Sequence, residues 1–242
     1  MTLLSVDFDF FFPIPEYDPH ELYDWSMSEK SNLFYSSLWT IRAAAFLRFN
    51  NELPCTSGEE EHFWERFNIK KNAPLFYAES HSFMLHKQVI KHSQNVLSFD
   101  AHHDAGYSEK NNTPGCDNWV VYLARLGSTT KVVYPSWKFY APEREPKPQV
   151  PIIREVDDGR AYSETIDAVF LCRSGAWVPG WLDDHFDTFL DKCPTQRRMQ
   201  IGPIVEREWN PSDAHQINNA TKSLFSDFAE KTIAILNSER IV

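Results

Sequence analysis

Apolar residues in this chain gather into short runs, each closed by a polar or turn-forming cluster. Leu3-Leu4-Ser5-Val6, Leu75-Phe76-Tyr77-Ala78, Val96-Leu97-Ser98-Phe99, Lys131-Val132-Val133-Tyr134 and Ala168-Val169-Phe170-Leu171 read as strands. Residues 201–205 read as a last strand, with Pro203 confining it to an edge or irregular position. Elsewhere the period becomes helical. Over residues 31–49, Leu33, Phe34, Leu38, Ile41, Ala45 and Phe46 recur at spacings of three and four, predicting an amphipathic helix. Shorter helices are expected at 61–67, through Phe83, Met84, Val89 and Ile90, and at 117–126. A long helix over 212–236 is capped by Ser212 or Asp213. Pro13-Ile14-Pro15, residues 50–61, 111–115 and the proline-bearing 141–151 read as turns and loops. Strands alternating with helices predict an α/β fold with a mainly parallel sheet, and the length suits a single domain spanning 1–242.

The polar residues that close three of these strands carry the chemistry. Asp7 and Asp9 follow the first run, Glu79 and His81 the second, and Asp100, His102 and Asp104 the third. Alternate residues of an extended chain point the same way, and parallel sheets bind ligands at the carboxyl edge of their strands. Adjacent strands would therefore bring these side chains together. Leaving Glu79 aside, four carboxylates and two imidazoles without a thiolate favour Mn²⁺ or a similar divalent ion over a structural zinc. The number of ligands suits two ions about 3.5–4 Å apart. Other readings stand beside this one. Asp7 and Asp9 could simply terminate a strand, although carboxylates among apolar neighbours need a partner. His81 could bond backbone at a helix start, and Glu79 could cap that helix. His103, facing away from its neighbours in sequence, is a supporting, surface or catalytic group.

Charge and cysteine content narrow the class. With 24 basic against 34 acidic residues the formal net charge is −10. That argues against a nucleic-acid binder and suits cationic small molecules, basic peptides or metal ions. Cys55, Cys116, Cys172 and Cys193 are widely spaced and give neither a disulfide framework nor a zinc ribbon. No leader pattern and no apolar run of about 20 residues is visible, so a reducing, cytoplasmic setting without a membrane partner is expected.

Asp100-Ala101-His102-His103-Asp104 resembles the Asp-Ala-His-x-Asp signature of the arginase/ureohydrolase group in the arginase–deacetylase superfamily. Asp7-Phe8-Asp9-Phe10-Phe11-Phe12-Pro13 is similar to that group's Asp-x-Asp metal strand, and Glu79-Ser80-His81 to the segment bearing its first metal histidine. Glu208-Trp209-Asn210-Pro211-Ser212 resembles the Glu-x-Asn-Pro segment whose glutamate receives the guanidinium. With Asn118-Trp119, these features are most similar to the peptide arginases, which convert arginine side chains to ornithine in ribosomal peptide maturation. The resemblance implies a three-layer sandwich with permuted strand order, because here the Asp-x-Asp strand comes first.

It also implies two Mn²⁺ ions bridged by Asp100 and Asp7, with His81 and Asp104 completing one site and His102 and Asp9 the other. A metal-activated water would attack the guanidinium carbon of an arginine-containing precursor peptide. Glu208, or failing that Glu206 or Glu79, would pair with the guanidinium, and Asn118 and Ser174 would hold the substrate chain. Asp104 and His103 join the catalytic candidates, His103 or a residue near Asp117 and Asn118 replacing the proton-shuttling histidine of arginases. Oligomerisation is left open. A metal-dependent deacetylase and a non-catalytic peptide-binding protein are the competing readings.

Overall fold

The computed structural model describes residues 1–13, 32–50, 52–107, 113–204, 206–220 and 222; for 32–38 and 49–50 the backbone alone is described. The end of the Pro13-Ile14-Pro15 turn, Asn111-Asn112 and the closing helix beyond residue 222 lie outside these residues. The chain divides into two compact units, Met1–Lys30 with Cys55–Glu206 and Ser31–Pro54 with Arg207–Val242.

Among its described residues the first unit holds nine strands: β1 (Thr2–Asp7), β2 (Phe67–Ile69), β3 (Pro74–Ala78), β4 (Asn95–Phe99), β5 (Thr129–Tyr134), β6 (Ile153–Val156), β7 (Tyr162–Ile166), β8 (Ala168–Cys172) and β9 (Arg197–Gln200). Seven form one sheet in the order β6-β5-β4-β1-β8-β3-β9, every pairing parallel, and β2 pairs with β7 separately. The architecture is a three-layer α/β sandwich with an open sheet.

Both faces of the sheet are covered, which explains why its inner strands are apolar throughout. On one face Leu3, Phe76, Val96 and Phe170 pack against Met84, Val89, Trp119, Val120 and Leu123. These come from a 3₁₀ turn (His81–Leu85), from α2 (Lys87–Ile90) and from α3 (Trp119–Arg125). On the other face lies an aromatic cluster in which Phe99 meets Phe10, Phe63, Phe67 and Tyr162, while Phe8 meets Phe186 and Phe189 of α5 (Asp183–Lys192). Each fully buried ring contributes about 1.5–3 kcal/mol through burial.

Several expected elements change form. The helix at 61–67 is two 3₁₀ turns, Glu59–Glu61 and Phe63–Arg66, running into β2. The helix from His81 to Ile90 breaks at His86, whose extended backbone ends the 3₁₀ turn and whose Nδ1 accepts from Gln88 N–H at 3.4 Å. Ala141–Arg144 forms one turn of helix, α4, inside the proline-bearing loop, with Pro142 in the first turn where its missing N–H costs nothing. The last strand occupies Arg197–Gln200 rather than 201–205. It is the sheet edge, and pairing with β3 trails on through Ile201 N–H to Tyr77 C=O at 3.0 Å.

The second unit contains α1 (Asn32–Asn50), which buries Trp39, Ala43, Ala44, Phe46 and Leu47, and a helix over 211–220 burying Ala214 and Asn218. Asn210, not Ser212 or Asp213, caps that second helix: its Oδ1 accepts from Ser212 N–H at 3.0 Å and its carbonyl from Asp213 N–H at 3.1 Å. Among the described residues, no helix is long and apolar enough to cross a membrane.

Candidate metal centre

The sheet order sets β4, β1, β8 and β3 side by side, so the segments leaving their carboxyl ends meet at one edge. Asp7 closes β1 itself. Asp9 lies in the following 3₁₀ turn (Phe8–Phe11) and donates its N–H to Asp7 Oδ1 at 3.2 Å, so the second aspartate is a turn residue and not part of the strand. Asp100, His102 and Asp104 occupy the loop after β4, where His102 N–H reaches Asp100 Oδ1 at 2.7 Å. Asp104 holds a left-handed backbone (φ 48°) that bends the chain back towards α3, and Trp119 Nε1 donates to its Oδ2 at 2.7 Å.

His81 enters from the turn after β3. Its Nδ1 stands 3.1 Å from Asp7 Oδ2, 3.0 Å from Asp100 Oδ2 and 3.0 Å from Asp104 Oδ2. Its Nε2 lies 2.8 Å from Ser5 Oγ, and that hydroxyl donates onward to Met84 Sδ at 3.5 Å. A hydroxyl whose proton goes to sulfur accepts the Nε2 proton. In the neutral ring, the form that binds a metal, this selects the tautomer whose Nδ1 lone pair faces the three carboxylates. Beside this group, His102 Nδ1 lies 3.0 Å from Asp9 Oδ2 and 3.7 Å from Asp100 Oδ1.

Two ligand sets result, Asp7–His81–Asp100 and Asp9–Asp100–His102, with Asp100 in both. Their close approaches are not hydrogen bonds. His81 Nδ1, Asp100 Oδ2 and Asp9 Oδ2 are buried without a hydrogen-bond partner. Burying such atoms unsatisfied costs about 1–3 kcal/mol each, more for charged ones. Convergent, orphaned oxygens and nitrogens are what a divalent cation requires, so these residues fit a metal and can hold one or two ions. Asp104 joins the first set through its approach to His81; the structure gives Asp7 to that set and not to the second.

The electrostatics reflect crowded negative charge. Burial, then the nearby Asp9, raises Asp7 to about 6, against the pull of His81. Burial and Asp100 raise Asp104 to about 7, and burial with Asp9 raises Asp100. Burial opposes charge on His81, yet Asp100, Asp104 and Asp7 outweigh it and hold the imidazole well above its ordinary value. Burial and Lys138 press His102 down, but Asp100 and Asp9 carry it to about 10. Burial likewise opposes ionisation of Asp9, which His102 nevertheless holds below the usual carboxylate range.

Other expected site residues sit differently. His103 is buried outside the ligand sets: its Nδ1 accepts from Ala105 N–H at 2.9 Å, its Nε2 donates to Pro146 C=O at 2.9 Å, and its ring stacks on Tyr107. Both ring nitrogens are engaged, so His103 braces the ligand loop and has no nitrogen left to shuttle protons. Asn118 spends both ends of its amide on the loop before α3, accepting from Gly115 N–H and donating to Thr113 C=O, each at 2.9 Å. Glu79 already holds a guanidinium, that of the chain's own Arg173. Ser174 is buried with a left-handed backbone (φ 58°), its N–H on Glu79 C=O. Glu206 and Glu208 are exposed, and Glu208 belongs to the second unit.

Sequence reasoning missed Ser5 and Lys138 as supports of the centre and singled out Trp119 only through the resemblance, without its contact to Asp104. Ser5 carried a signal, a polar residue two positions before Asp7 in a buried strand, where alternation places both on one face. His102 is the most exposed of the six ligands, with 26% of its side chain accessible against 9% or less for the others. Its ring lies 5.2 Å from that of Trp177, in contact with it. No protein-family model, curated protein or solved structure matches the chain. The reading of the centre therefore rests on its own geometry.

Proposed function

We propose that the chain is a binuclear manganese hydrolase that converts peptidyl arginine to ornithine with release of urea, acting in the cytoplasm during ribosomal peptide maturation. The observation that carries this reading is the sharing of buried Asp100 between two ligand sets. A single-ion amide hydrolase gives the Asp9–His102 set no work to do. When bound, a pair of divalent ions supplies a water nucleophile active near neutral pH and offsets the charge of four carboxylates.

The chain's own residues bind and orient. Asp7, His81, Asp100 and Asp104 would hold one ion; Asp9, Asp100 and His102 would hold the other. A guanidinium would approach past His102, the ligand most open to solvent. Water adds to the guanidinium carbon, the bond from that carbon to the side-chain nitrogen breaks, and a proton passes to the departing amine. The products are ornithine and urea. The resemblance of Asp100-Ala101-His102-His103-Asp104 and Glu208-Trp209-Asn210-Pro211 to ureohydrolase signatures supports the choice of substrate, and the formal charge of −10 suits a basic peptide and not a nucleic acid.

Incubation with arginine-containing peptides, free arginine and acetyl-lysine peptides under Mn²⁺, read by mass, tests this. Loss of about 42 mass units from a peptide is the expected result. Deacetylation without any change to arginine would overturn it, as would inertness towards all three substrates.

A further inference from the structure

Lys138 is buried, 8% exposed, at the end of the 3₁₀ turn Ser136–Lys138 that follows β5. Among the described residues, no carboxylate oxygen lies within 4.0 Å of its ammonium. Its ammonium donates instead to the carbonyl of Ala101, the residue between Asp100 and His102. Ala101 in turn donates its N–H to Asp9 Oδ1 at 3.3 Å, and the neighbouring Trp137 Nε1 donates to Phe10 C=O, next to Asp9, at 3.1 Å. One short turn thus clamps both loops that build the Asp9–Asp100–His102 set. A buried cation without an ion pair is costly, so its placement calls for a compensating role.

The two ligand sets differ in just the respect that this cation affects. Around His81, three carboxylates converge in a fully buried pocket. Around His102 there are two, the side chain is partly open to water, and the ammonium stands alongside. The Lys138 charge weighs on Asp9 and His102, pressing both downwards. Like charges in a low-dielectric site repel strongly, and a divalent ion feels that repulsion twice over.

We propose that Lys138 is a built-in positive charge that makes the two cation sites unequal, so that the His81 site fills first and the His102 site holds its ion weakly. The inference rests on the two-ion reading of the centre and is independent of the substrate. Before loading, the ammonium offsets part of the carboxylate charge; on loading, it competes with the second ion.

Titration of the metal-free chain with Mn²⁺, followed by calorimetry and by the electron paramagnetic resonance signal of free Mn²⁺, tests this without an activity assay. Wild type is expected to take up two ions in steps separated by at least about tenfold in affinity. Lys138→Met removes the charge with little change of volume and should tighten the second step by about tenfold or more, leaving the first within about twofold. Lys138→Arg keeps the charge and should keep the wild-type separation, which distinguishes repulsion from a packing effect. A second step in Lys138→Met no tighter than wild type, or both steps shifting together, overturns the role of Lys138. A wild-type chain that binds no Mn²⁺ overturns the two-ion reading as well.

Discussion

Asp100 carries the heaviest duty of any single side chain, since both ligand sets use it. Asp100→Asn should therefore abolish two-ion uptake, lowering Mn²⁺ stoichiometry to one or less and urea release by more than about 100-fold. Retention of two ions per chain in this variant would refute a shared ligand. Ser5 acts one bond further out. Ser5→Ala leaves the Nε2 proton of His81 without an acceptor inside a dry strand layer and frees the ring to change tautomer. Mn²⁺ affinity at the His81 site should fall about 10- to 100-fold with His102-site affinity unchanged, and Ser5→Thr should restore most of the loss. Equal weakening at both sites would point to a general loosening of β1 instead.

At the scale of elements, the β4–α3 connection is organised as a brace. His103 ties Ala105 to Pro146, and its partner Tyr107 donates to Glu145 at 2.7 Å, a carboxylate also reached by the Tyr134 hydroxyl. His103→Ala should thus cost about 1–3 kcal/mol in denaturant unfolding while two-ion uptake persists. An unchanged stability with a large fall in turnover would return His103 to proton transfer.

The same scale shows what could be read beforehand. The five inner strands were legible because burial on both faces leaves continuous apolar runs, and the acidic residues closing three of them marked the centre. β2, β6 and β7 were not, since Phe67–Ile69 is too brief to show a period and Tyr162–Ile166 carries Ser163, Glu164 and Thr165 on exposed positions. Asp9 was placed correctly at the centre by alternation, although the chain reaches it through a turn. Lys138 and Trp119 lie far from the ligands in sequence, and only the parallel register of β4 with β5 brings the Lys138 turn beside Ala101.

For the molecule as a whole, the centre links stability to pH. The folded state raises Asp7 from 3.8 to about 6 and Asp104 from 3.8 to about 7, so their stabilisation is complete only below the unfolded value of 3.8 and is lost as pH climbs through the folded values. His102, raised from 6.5 to about 10, contributes in full below about 6.5 and loses that contribution as pH rises towards 10. Asp9, held low, runs the opposite way but matters in strongly acidic solution. Metal-free protein should therefore melt at progressively lower temperature from pH 5 to pH 9. Ion binding demands deprotonated ligands and strengthens over the same range. The rise in melting temperature on adding Mn²⁺ should grow from pH 5 to pH 8 in scanning fluorimetry and vanish with excess chelator. A rise that shrinks with pH would mean that Mn²⁺ binds elsewhere.

The position of β1 has a consequence for how the molecule is made. Among the described residues it is the first strand, yet it lies in the middle of the sheet, and its flanks are covered by Asn95–Phe99 and Ala168–Cys172. At about 5–20 residues per second, a ribosome that has delivered Asp7 needs roughly ten to thirty seconds more to deliver β8. Asn95–Phe99 arrives earlier and can cover one flank, but through that interval the other edge of an apolar strand stays open on the nascent chain, available to holdase chaperones or to a neighbouring copy. Parallel, long-range pairing of this kind also folds slowly. Yield in a cell should consequently respond to translation speed and chaperone supply more than to the stability of the finished protein.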